Sequence, residues 1–210
     1  MAKSFDDYPL NYLYSYEIWL LTKSINDQCE KIFSAVNVPS SGYEVGHDPD
    51  IHSSINSIVS ESARVKKLIT IPKSKTKNET HKQYVIHVER SKYLQRMLEG
   101  ISMQEILSVR VRNTLEHFDE YLDEAIILAS EGALDAYVMI AHDMVISHRA
   151  AFEPNPFPMR VYISSEKVFL NMKYSINIGK LFEESKSIYE RFTDLLGGEE
   201  HIGKLMLIRV

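Results

Sequence analysis

Apolar residues recur at steps of three and four along most of the chain, a helical period. A first helix is predicted to begin near Pro9, behind Asp6 and Asp7, with Tyr14, Ile18, Leu21, Ile25, Ile32 and Val36 on one face. Pro39-Ser40-Ser41-Gly42 breaks it. Asp48 and Pro49 then supply a cap and a first-turn proline for a second helix, whose seam is Ile51, Ile55, Ile58, Ser62, Val65 and Ile69. The polar, basic stretch Pro72 to Thr80 reads as an exposed and mobile connection. A third helix follows from His81 to Glu99, with Tyr84, Val88, Ser91, Leu94 and Leu98 inward and Gly100 as its stop. Ser102 with Glu105 forms a capping box that opens a fourth helix, striped by Leu107, Val111, Leu115, Phe118, Leu122 and Ile126.

Beyond Gly132 the texture changes. Ala136 to Ile140, Arg160 to Ser164 and Lys167 to Met172 read as short strands, the last two joined by a tight turn at Ser164-Ser165-Glu166. The proline-rich stretch Phe152 to Pro158 reads as irregular. Asn177 caps a fifth helix carrying Leu181, Ser185, Ile188, Phe192 and Leu195, ended by Gly197-Gly198. Short links between long amphipathic helices predict a mainly α fold, an up-and-down four-helix bundle over residues 1–132. Residues 133–210 are expected to form a small C-terminal α+β appendage of hairpin and helix.

Composition changes this picture little. With 44% hydrophobic and 25% charged residues the chain is ordinary for a globular protein, and 210 residues suffice for a sizeable core. The lone Cys29 excludes an internal disulfide framework and fits a reducing compartment. The first residues lack an apolar signal core and no apolar run approaches a membrane span, so a cytoplasmic protein without membrane contact is expected.

Charge changes it more. The net charge is −5, yet Arg64 to Arg96 holds ten Lys or Arg against two Glu, a balance of +8. The remaining fourteen basic and twenty-seven acidic residues give −13. An acidic chain with one basic segment has the makings of a local phosphate-binding face. Equally, the segment reads as a solvated helix pair and loop.

The densest chemistry lies in Arg110-Val-Arg112-Asn113-Thr-Leu-Glu116-His117-Phe-Asp-Glu120. Arg112 offers a permanent planar cation and His117 a proton exchanged near neutral pH. This Arg-Asn-x-x-x-His spacing resembles the signature of the HEPN family, helical bundles that include many RNA-cleaving enzymes of bacterial and archaeal defence and toxin systems. The resemblance implies a metal-independent endoribonuclease without a cofactor, in which the RNA 2′-hydroxyl attacks the adjacent phosphate. His117 would be the acid or base, Arg112 the phosphate clamp and Asn113 a positioning group. Lys73, Lys75, Lys77 and Arg110 are the expected RNA contacts. The resemblance also implies a homodimer through the motif helix, and a toxin setting would add a neutralising partner protein.

On a straight helix, residues five apart point about 140° from each other, so Arg112 and His117 do not meet on one continuous helix. A bend or helix start near Arg112, or a symmetric dimer, is needed to unite them. Arg110, Asn113 and His117 share a stripe, which makes Arg110 a rival partner. The alternative is a non-catalytic helical interaction module, with Arg112 paired to Glu116 and His117 serving an interface.

Weaker signals are discounted. Gly198 to Lys204 matches part of a phosphate loop but lacks its Ser or Thr and its strand–helix context. Glu44 and His47 alone show the Glu-x-x-His spacing of metal-binding bundles, and no metal is expected, even with Glu116, His117, Glu120, Asp123 and His142 as conceivable ligands. His142 and His148, flanking Asp143, read as ordinary surface or interface histidines. Cys29 reads as a core thiol, and Tyr8, Tyr12, Tyr14, Tyr16 and Trp19 as a packing face or a dimer surface.

Overall fold

The computed structural model describes residues 5, 8, 10–132, 139–152 and 156–198. Six α-helices and a five-stranded mixed sheet form an α+β fold, which corrects the expected four-helix bundle with an appendage. The helices are α1 (Tyr12–Ala35), α2 (Pro49–Ile69), α3 (His81–Met97), α4 (Arg110–Glu116), α5 (Phe118–Ser130) and α6 (Ile178–Leu195). The strands are β1 (Val45–Gly46), β2 (Ile140–Ile146), β3 (Phe157–Ile163), β4 (Val168–Asn171) and β5 (Tyr174–Asn177), hydrogen-bonded in that order.

The seams of α2 and most of α6 behave as their periods require. In α2 all six seam residues from Ile51 to Ile69 are buried, and Asp48 accepts hydrogen bonds from the N–H groups of Asp50 and Ile51. Thr80 and Gln83 close a reciprocal capping box at the start of α3. On α6, Leu181, Ser185, Ile188 and Phe192 are buried as predicted, whereas Leu195 is exposed. Asn177 caps that helix through the Lys180 N–H at 2.8 Å.

The sheet explains why a bundle fails. β3 pairs with β2 in parallel and with β4 in antiparallel register, and β1 joins β2 from the far end of the sequence. Alternation then sends Tyr162 of β3 into the large core with Ile25, Ile55 and Phe192, while Val161 and Ile163 join a smaller cluster with Ala141, Ile146 and Phe152. One buried cluster therefore draws on α1, α2, β3, β4, β5 and α6 together. Trp19 Nε1 donates to Thr193 Oγ1 at 2.8 Å, tying α1 to α6. β1, of two residues, and β5, of four, are not read as strands from the sequence. β2 begins at Ile140 and runs to Ile146, and most of the strand expected from Ala136 lies outside the described residues.

The fourth helix also departs from expectation. Residues 104–107 form a turn within an otherwise irregular stretch, and the helix starts only at Arg110. Glu105 does not reach back to Ser102; its carboxylate accepts the Asn177 N–H at 3.3 Å. Glu184 of α6 instead accepts the N–H groups of Gln104, Glu105 and Ile106 at 2.7–3.2 Å. A carboxylate from a distant element thus replaces the local cap and turns the chain toward the sheet.

Candidate nucleic-acid interface and motif junction

The motif helix α4 is seven residues long and anchored by its buried Val111 and Thr114. Thr114 Oγ1 donates to the Val111 carbonyl at 2.7 Å and accepts from Asn171 Nδ2 at 2.9 Å, which fastens α4 to β4. His117 has φ −111° and ψ 44°, outside the helical region, so the predicted continuous helix breaks there and α5 restarts at Phe118. The break falls at His117, and α4 itself starts at Arg110, close to Arg112 as one expectation had it.

That break does not unite the two motif residues. Arg112 lies in the lining of a cavity between α2, α3 and α4, and its Nη2 pairs with Glu116 Oε1 at 2.6 Å. Asn113 and His117 line a different depression, with Glu120, Tyr121 and Glu124. His117 is exposed and its Nδ1 lies 3.5 Å from Glu120 Oε1. Arg110 is exposed and lines neither depression. Asn113 is therefore the only motif residue beside His117 within one chain. The Arg112–Glu116 pair is partly exposed, and such pairs contribute about 0–1 kcal/mol, so an incoming anion displaces the carboxylate at small cost.

The cavity at Arg112 measures about 660 Å³ and gathers Arg64, Lys66, Lys67 and His87 around it. Arg64 Nη2 pairs with Glu17 Oε1 at 2.6 Å and Lys66 Nζ donates to the Leu107 carbonyl at 2.6 Å. Lys67 has no side-chain partner among the described residues. Cations in the last turn of α2 also complement the partial negative charge of the helix C-terminus. The lysines singled out from sequence stand elsewhere. Lys73, Lys75 and Lys77 are exposed on the α2–α3 loop and none lines the cavity. Lys75 Nζ donates to the Glu79 carbonyl at 2.6 Å, and the Thr76 N–H donates to Glu79 Oε2, so this stretch is internally hydrogen-bonded. Lys66 and Lys67 lay inside the recognised basic run; only the α2–α4 contact distinguishes them.

A second polar cluster, missed from sequence, sits across β2 and β3. Asp143 and Arg160 both have left-handed backbones, with φ of 53° and 59°. The parallel ladder pairs His142 with Met159 and Met144 with Val161, skipping this pair. Such conformations cost of order 1–3 kcal/mol each and persist only where surroundings enforce them. Here Arg160 donates to both Asp143 carboxylate oxygens, which holds that carboxyl below the usual range. Arg160 Nη2 also lies 3.0 Å from His142 Nε2. A guanidinium can only donate, so Nε2 accepts and the His142 proton sits on Nδ1, 3.1 Å from Asp143 Oδ2.

Beneath the cluster, His47 Nδ1 donates to the Asp143 carbonyl at 2.8 Å and its ring stacks on His52 with centroids 6.2 Å apart. His52 is 7% exposed, and burial pushes its pKa down. Sequence showed only a His-Asp pair and a distant Arg; strand pairing alone brings them together.

Among the described residues no three His, Cys, Asp or Glu are placed to hold a metal ion, and no helix is long and apolar enough to cross a membrane. Cys29 is buried, and desolvation pushes its thiol up to about 12, which makes it a poor nucleophile. No family model, curated protein or solved structure matches the chain.

Proposed function

We propose that the chain binds single-stranded RNA along the α2–α3–α4 groove and, as a pair of copies, cleaves it without a metal ion. The groove carries this reading. Arg64, Lys66, Lys67, His87 and Arg112 converge on one open cavity in a chain whose net charge is −5. Concentrated positive charge on an acidic protein favours a phosphate backbone at one place and repels it elsewhere.

The resemblance of Arg112, Asn113 and His117 to the HEPN signature supplies the chemistry. One copy leaves Arg112 and His117 in separate depressions, so the cleaving centre takes them from two copies related by a two-fold axis. α5 starts beside His117, buries none of its residues and exposes Ile126 and Ile127, an apolar face suited to that contact. In the reaction the RNA 2′-oxygen bonds to the adjacent phosphorus as the bond to the 5′-oxygen breaks. The 2′-hydroxyl loses its proton and the leaving 5′-oxygen gains one, leaving a 2′,3′-cyclic phosphate. His117 serves one of these proton transfers and Arg112 holds the phosphate oxygens as their charge grows. The reducing cytoplasm, where Cys29 stays a thiol, is the proposed compartment.

A second reading, a non-catalytic interaction module, is favoured by the 2.6 Å Arg112–Glu116 pair. Binding to a single-stranded RNA across a salt series, followed by incubation in chelator, separates the two. The proposal expects Arg64→Glu with Lys67→Glu to weaken binding and flatten its salt dependence, and His117→Ala to bind as wild type without cutting. Binding that ignores the groove reversals removes the proposal. Groove-dependent binding with equal background cutting by wild type and His117→Ala leaves only the interaction module.

A further inference from the structure

We infer that Arg160 is a positioning residue for His117, gripping the α4–α5 junction from the sheet on both sides of that histidine; the inference rests on the catalytic role proposed for His117. On one side, the Arg160 backbone N–H donates to Asn171 Oδ1 at 3.1 Å, and Asn171 Nδ2 donates to Thr114 Oγ1 at 2.9 Å. Thr114 and Asn171 are fully buried, so this chain of bonds is shielded from competing water. On the other side, the Arg160 guanidinium lies over the Phe118 ring, 5.6 Å from its centroid. His117 is the residue between these grips that leaves the helical region.

The left-handed backbone of Arg160 has a purpose in this arrangement. It departs from the regular β2–β3 ladder, and the same residue offers its N–H to Asn171 while its side chain reaches Asp143 and Phe118. Two bonds to Asp143 and one to His142 engage Nε and Nη2 of the guanidinium, so it acts as a fastener. A lysine carries the charge but lacks both the fork and the flat face, so it cannot make these contacts together.

The test uses the full chain labelled with 13C at the histidine rings, the His117 signal being assigned with His117→Asn. In Arg160→Gln the His117 Cε1–Hε1 cross-peak moves, while that of His81, exposed at the start of α3, stays in place. Phe118→Leu, which leaves the sheet untouched, moves it too. With RNA, Arg160→Gln lowers kcat by about tenfold or more with KM changed less than about twofold, the mark of a displaced group. An unmoved His117 peak in folded Arg160→Gln, or wild-type kcat in that variant, overturns the inference. A displaced peak in a protein whose wild type never cuts RNA upholds the positioning and removes the cleavage reading instead.

Discussion

In α2 every seam residue from Ile51 to Ile69 is buried, whereas in α5 no residue is, although both helices carry apolar residues at helical spacing. The difference lies in what stands opposite. α2 faces α1 and the sheet, and its isoleucines meet Ile25 and Phe169 in one core. Among the described residues the C-terminal half of α5 meets nothing comparable, and Ile126 and Ile127 are more than half exposed. Its attachment lies in ion pairs and rings, Lys173 with Glu124 at 2.6 Å and Tyr121 against Tyr174. Periodicity therefore identifies which face of a helix is apolar but not whether the same chain covers it.

The largest effect separates these two helices directly. Ile55→Ala, deleting a wholly buried side chain, should cost about 2–5 kcal/mol in urea unfolding, whereas Ile127→Ser should change the stability of a single copy by less than about 0.5 kcal/mol. A comparable loss at Ile127 means that its face is covered. The junction between the regions comes next. Removing the Glu184 carboxylate strands three backbone N–H groups at residues 104–106, and Glu184→Ala should cost about 1–3 kcal/mol while leaving the α6 seam intact.

Smaller effects sharpen the comparison. Glu116→Gln removes the carboxylate that competes for Arg112, so RNA affinity should rise by roughly threefold, near 0.6 kcal/mol and within the range for an exposed pair; unchanged affinity in a filter-binding titration would place RNA elsewhere. The smallest effect is a pH dependence from the packed region. His52 has a lowered pKa in the folded state, so its contribution is present above the unfolded value near 6.5. It is lost as pH falls toward the folded value, because only the unfolded chain then gains the proton. Thermal unfolding at pH 7.5 and 5.5 should show a drop in Tm that His52→Phe reduces. An equal drop in both proteins would assign the effect to other groups.

Legibility in the sequence followed the same divide. The seams of α1, α2 and α6 and the Asp48 and Asn177 caps were readable because local spacing and tertiary burial agree there. The sheet was half-readable: β3 and β4 emerged as strands, but β3 joins β2 in parallel across about 17 residues and β1 joins β2 across about a hundred. The Ser102–Glu105 box failed because Glu184, about eighty residues away, accepts the Glu105 N–H that local pattern assigned to the Ser102 side chain. At the site, Arg112, Asn113 and His117 were conspicuous as a string, yet rotation around α4 puts Arg112 in one depression and Asn113 with His117 in another. Arg160 left no trace in the string, since its link to the motif runs through Asn171 and Phe118.

The account turns on a cleaving centre built from two copies, and mixing two dead variants tests that most directly. Arg112→Ala and His117→Ala should each fail to cut single-stranded RNA in chelator. Subunit exchange at equal concentration should then restore about a quarter of wild-type activity, since half of the pairs are mixed and each mixed pair holds one intact centre. A mixture as silent as its components, beside an active wild type, would contradict a shared centre.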